Sequence, residues 1–82
     1  MDIMARTPQQ LGTGIRRYRQ QRNLTQTQLS EKMHTRQATI SKLEAGGNIQ
    51  LHVLTAALAA LDLELLIRPR TKVSVKAFAD LF

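Results

Sequence analysis

The chain has 82 residues, no cysteine and a formal net charge of +6 at pH 7, which bounds it to one small domain with no disulfide framework and no thiolate metal site. His34 and His52 stand far apart, so no metal or other cofactor is expected, and no apolar run approaches the roughly 20 residues of a membrane span. The start, MDIMARTPQQ, lacks the apolar stretch of a signal peptide, so the sequence reads as a cytoplasmic protein that gains stability by oligomerising.

Residues 1–6 read as a flexible N-terminus. In Thr7-Pro8-Gln9-Gln10, a capping threonine, a proline suited to the first helical position and a glutamine at capping-box spacing open a helix. Leu11, Ile15 and Tyr18 form its apolar stripe, with Arg16, Arg17, Arg19 and Arg22 interleaved. Gly12 and Gly14 weaken this helix, and Asn23-Leu24 ends it. Thr25 and Gln28 repeat the capping-box spacing and open a second helix on Leu29 and Met33. His34-Thr35 is a tight connection to a third helix at residues 36–45, stopped by Gly46-Gly47. After a loop at 48–50, Leu51, Leu54, Leu58 and Leu61 give the fourth helix.

At Asp62 the pattern changes. DLELLIR partly alternates, with Leu63, Leu65 and Ile67 on one face, and Pro69 ends it, so residues 62–69 read as a strand; the other reading extends the fourth helix. In the tail, residues 70–82, Val75, Phe78, Leu81 and Phe82 can line one side of a short helix. The expected fold is all-α, four to five helices with a short C-terminal β-strand.

Charge is concentrated towards the N-terminus. Residues 1–45 hold eight Lys/Arg against Asp2, Glu31 and Glu44, and residues 46–82 hold four against three acids. A basic half points to a polyanion, nucleic acid by default; on charge alone a solvated basic surface is an equal reading. The third helix shifts that balance. At about 100° per residue, Ile40 and Leu43 point inward, Ala38, Ser41, Lys42 and Ala45 outward, and Gln37 and Thr39 lie on the flanks. A helix–turn–helix whose second helix carries small, hydrogen-bonding residues suits the DNA major groove. Gln37 can pair with adenine, Ala38 and the Thr39 methyl can pack on thymine, and Lys42 can reach guanine or a phosphate. The candidate base contacts are Gln37, Ala38, Thr39, Ser41 and Lys42.

Glu44 opposes the helix dipole in the last turn of its helix and lies nearer the inner face. It calls for a cation, which Arg19 offers; such a pair would lock the first helix to the third and aim Arg19 at phosphate. Gln26, at a helix N-terminus, is a second phosphate candidate.

LTQTQLSEKMHTRQATISKLEAG resembles the core motif of the lambda-repressor/Cro-like, or Xre-type, helix-turn-helix family. Leu24, Thr25, Gln26, Leu29, Gln37, Ala38, Thr39, Ile40, Ser41, Glu44 and Gly46 match its pattern, and Ile15, Arg16 and Arg19 match its upstream helix. The resemblance implies a DNA-binding domain over residues 7–61. Three positions depart from it: His34 stands where the turn usually has Gly, Thr35 replaces an apolar residue, and Arg36 replaces a capping Ser/Thr. A left-handed His34 carries strain, and Arg36 is expected on phosphate or on a base near the helix start. Arg16, Arg19, Gln26 and Arg36 form the phosphate set.

Arg36–Ser41 and LAALDLELLIRPR are also similar to HipB-type antitoxins. That resemblance implies a strand paired across a two-fold axis, a HipA-like kinase toxin as partner and repression of the chain's own operon. The strand residues support pairing on their own. Centred on Leu65, an antiparallel copy sets Asp62 against Arg68 and Leu63 against Ile67, and a centre at Leu66 sets Glu64 against Arg68. Leu63, Leu65, Leu66 and Ile67 are then the C2 homodimer interface, and the operator an inverted repeat. Phe78, Leu81 and Phe82 are read either as a docking segment for the partner protein or as packing on the chain's own domain or its dimer mate. No Ser-His, Cys-His or close carboxylate pair at motif spacing indicates an enzyme. A stand-alone regulator of the same fold is the alternative, and a protein-binding helical module a further one.

Overall fold

A computed structural model describes residues 2–70, in the order α1 (Pro8–Gln21), α2 (Gln26–Lys32), α3 (Gln37–Glu44) and α4 (Leu51–Ala60). The expected tail residues Phe78, Leu81 and Phe82 lie outside the described residues. Among the described residues all regular structure is helical.

The helix starts follow from side-chain capping. Thr25 Oγ1 accepts from Gln28 N at 3.0 Å while Gln28 Oε1 accepts from Thr25 N at 2.9 Å, a reciprocal box that satisfies two orphan donors of α2. At α1, Thr7 Oγ1 accepts from Gln10 N at 3.1 Å. Gln10 Oε1 reaches one residue further back than in such a box, accepting from Arg6 N at 2.7 Å.

All four helices end alike. Asn23, His34, Gly46 and Asp62 take φ of 57°, 55°, 81° and 57°. Their amides and those of the next residues reach back to the last-turn carbonyls: His34 N to Glu31 O at 3.1 Å and Thr35 N to Ser30 O at 2.9 Å, with equivalent pairs at the other three ends. This is the Schellman arrangement, which satisfies carbonyls the helix leaves open. Only one of the four left-handed residues is glycine. A left-handed L-residue is disfavoured by roughly 1–2 kcal/mol, a cost that Asn23, His34 and Asp62 carry and Gly46 does not.

The core comprises Ile15, Leu29, Ile40, Leu43, Ala57, Leu58 and Leu61, with Leu11, Leu24, Met33, Ile49, Leu54, Ala60 and Leu63 packed around it. Each helix contributes, so α1 and α4 brace the α2–α3 pair. Gly12 does more than weaken α1: a Cβ there would lie 2.5 Å from the carbonyl oxygens of both Leu43 and Glu44. Its missing side chain lets α1 pack against the C-terminal end of α3. The N-terminal segment is likewise engaged, because Ile3 is half-buried and lies over Gly14.

The boundary at 62 moves. Asp62 is the left-handed residue that closes α4, and Leu63 N donates to Leu58 O at 2.7 Å. Both belong to the helix end, and α4 does not continue through 63–67. Residues 64–70 carry neither helix nor strand ladder in the single chain, while Leu65, Leu66 and Ile67 are 54%, 71% and 89% exposed.

Candidate nucleic-acid interface

α2 and α3 meet across the short turn through Leu29 and Ile40, both fully buried. This leaves Gln37, Ala38, Ser41 and Lys42 exposed on α3 and Ala45 exposed at its C-cap, with Thr39 half-buried at the flank. The outer face thus carries small and hydrogen-bonding groups and a single cation.

Behind it runs a chain of polar contacts. Arg19 Nε donates to Glu44 Oε2 at 2.6 Å, and Nη2 donates to Glu44 Oε1 at 3.0 Å. Nη1 donates to the Leu24 carbonyl at 2.7 Å. Gln26 Nε2 donates to Glu44 Oε1 at 3.1 Å, and Gln37 Nε2 donates to Gln26 Oε1 at 2.6 Å. Two buried charges are costly unless paired and hydrogen-bonded, and here each guanidinium nitrogen meets an acceptor. The same carboxylate then orients Gln26, which orients Gln37.

Arg19 is only 7% exposed, with its nitrogens turned to protein acceptors. Gln26 is half-buried with both amide atoms engaged. Gln37 is exposed, and the bond to Gln26 uses one of its two amide N–H groups, leaving a donor beside its Oε1 acceptor. No sequence spacing signals the Gln26–Gln37 bond, since the residues are eleven apart and belong to different helices.

Arg16 and Arg36 are exposed. Arg36 occupies the N-cap of α3 with no side-chain capping bond. Arg22 lies 5.1 Å from the centre of the Tyr18 ring, a cation–π contact at the far end of α1. Among the described residues, no group of three His, Cys, Asp or Glu could hold a metal ion. None of their helices is long and apolar enough to cross a membrane.

A family model described as Helix-turn-helix matches residues 15–67. This chain belongs to the helix-turn-helix family. Its fold and family are those of DNA-binding regulators. Solved structures narrow the likeness to HipB. In a HipB-variant–O2 20mer complex, a chain 29% identical superposes with a TM-score of 0.80 over 87% of this chain and 100% of that one. In a HipA–HipB–O2–O3 complex the values are 30%, 0.76, 83% and 97%. In a HipB–O4 20mer complex they are 30%, 0.77, 83% and 97%. No curated protein sequence matches the chain.

Proposed function

We propose that this helix-turn-helix protein is the HipB-type antitoxin of a toxin–antitoxin pair. It represses its own operon as a homodimer and binds a HipA-like kinase toxin. The observation that carries the DNA half is the Glu44–Gln26–Gln37 relay, which presents an oriented amide at the start of α3 beside small residues. Gln37 reads adenine, Ala38 and Thr39 pack on thymine, Ser41 adds a hydroxyl, and Arg16 and Arg36 take phosphates. Similarity to HipB in complexes with O2 and O4 20mers and with HipA supports both partners.

The dimer rests on residues 64–68. Exposed Leu65, Leu66 and Ile67 and an unpaired backbone call for a second strand. A groove of about 1070 Å³, lined in part by Ile3, Met4, Leu54 and Leu65, offers an apolar seat beside it. A left-handed Asp62 supports a two-fold centre at Leu66, with Glu64 against Arg68, over one at Leu65. Two recognition helices then lie about one DNA turn, roughly 34–36 Å, apart on an inverted repeat.

The test is affinity purification of the tagged protein from its native cytoplasm, followed by mass spectrometry and sequencing of bound DNA. Recovery of a kinase-like protein with the chain's own promoter supports the antitoxin assignment. DNA recovered alone makes it a stand-alone regulator, and recovery of neither refutes both.

A further inference from the structure

We infer that Lys42 grips the DNA backbone at the C-terminal end of α3 and reads no base, and that Gly47 is the residue that holds it there. The inference rests on the DNA-binding function proposed above and assigns Lys42 a role different from base contact.

The evidence is the course of the lysine stem. Gly47 N donates to Lys42 O at 2.9 Å, which closes α3. A Cβ on Gly47 would lie 2.6 Å from Lys42 Cγ and 3.3 Å from Lys42 Cε. The methylene chain therefore runs along the turn, through space that any side chain at 47 would occupy. Lys42 sits about 7.5 Å along the axis from Gln37, at roughly 1.5 Å per residue.

A recognition helix puts its N-terminal residues on base edges, so its far end is the end that meets sugar and phosphate. Lysine suits that place because its ammonium is a compact point charge on a flexible stem. The surroundings agree. A Cβ on Gly46 would lie 2.9 Å from Gln9 Cα, so the α3 turn rests on the start of α1. Arg16, seven residues beyond Gln9, shares its helical face and is exposed. Arg36 stands at the opposite end of α3, at its N-cap.

The test uses the full-length protein, a random-sequence duplex and a duplex that the wild type selects from a random pool, titrated over a salt series. Lys42→Ala is expected to weaken both duplexes by the same factor and to make the log–log salt slope shallower by about 0.9, the value of one phosphate contact. Lys42→Arg should retain the slope. Gly47→Ala, which leaves the lysine in place but evicts its stem, should lose the same 0.9 while its circular dichroism stays that of wild type. Relaxed base preference with an unchanged slope for Lys42→Ala would make the residue a base reader and overturn the inference. Unchanged affinity and slope would reduce it to a partner of the helix dipole, overturning it equally. If the wild type shows no salt-dependent binding to either duplex, the DNA-binding function itself fails.

Discussion

Arg19 and Glu44, 25 residues apart in the chain, meet in a two-point ion pair, and Glu44 Oε1 accepts from Gln26 as well. One carboxylate therefore ties α1 to α3 and also fixes the amide that orients Gln37. Packing and recognition share a residue, so a change at Glu44 acts on both.

The two effects separate by mutation. Arg19→Ala strands a buried carboxylate, which costs about 3–5 kcal/mol out of roughly 5–15 kcal/mol for a whole domain. The melting temperature should fall by at least roughly 10 °C at about 4–8 °C per kcal/mol. The double variant Arg19→Met/Glu44→Leu removes both charges and should melt near the wild type. It also removes the acceptor for Gln26, so it should bind a selected duplex more weakly despite its stability. A stable double variant with wild-type affinity would show that the relay does not set Gln37.

Gly12→Ala tests the α1–α3 contact. In an exposed helix interior this change usually stabilises by roughly 0.5–1 kcal/mol. Here the new methyl meets two backbone carbonyl oxygens at 2.5 Å, and overpacking of this kind costs about 1–3 kcal/mol. Denaturant titration should show net destabilisation, whereas Thr13→Ala, at an exposed neighbour, should be neutral or stabilising. A more stable Gly12→Ala would mean that the helices separate without cost.

Arg36 sets stability against affinity. It is the N-cap of α3 and makes no capping bond. Arg36→Ser supplies the missing acceptor, worth about 0.5–2 kcal/mol, and should raise the melting temperature. It also removes a cation from the start of the recognition helix, so duplex affinity should drop with a shallower salt slope. A gain in stability with unchanged affinity would remove Arg36 from the DNA contacts.

The residues that were legible in the sequence share a cause: each carried a local conflict. A carboxylate in the last turn of α3 needs a cation, and the structure sets Arg19 against Glu44. The family resemblance, which puts a glycine in the turn at position 34, implies a left-handed residue there, and His34 has φ 55°. The helix starts were legible because caps are local. What escaped depends on packing between elements. Gly12 resembles a weak point until α3 is laid against it, and Arg19 resembles a phosphate ligand until three acceptors surround it. Asp62 reads as the first strand residue by alternation, but the end of α4 needs a left-handed residue there, and that need prevails.

The displacement at Asp62 gives the last prediction. If the proposed ladder begins at Glu64, antiparallel pairing with a second copy would centre on Leu66 and set Glu64 against Arg68 twice, each pair contributing roughly 0.2–1 kcal/mol. The residue on the axis faces its own copy at about 4.5–5.5 Å between Cα atoms, inside the range a disulfide spans. The chain has no cysteine, so a single introduced thiol reports without background. Leu66→Cys should form an oxidised dimer readily on non-reducing gels, and Leu65→Cys, which faces position 67 in this register, should not. Preferential cross-linking of Leu65→Cys would move the axis to Leu65 and bring back the Asp62–Arg68 pair. Cross-linking of neither would remove residues 64–68 from the dimer interface.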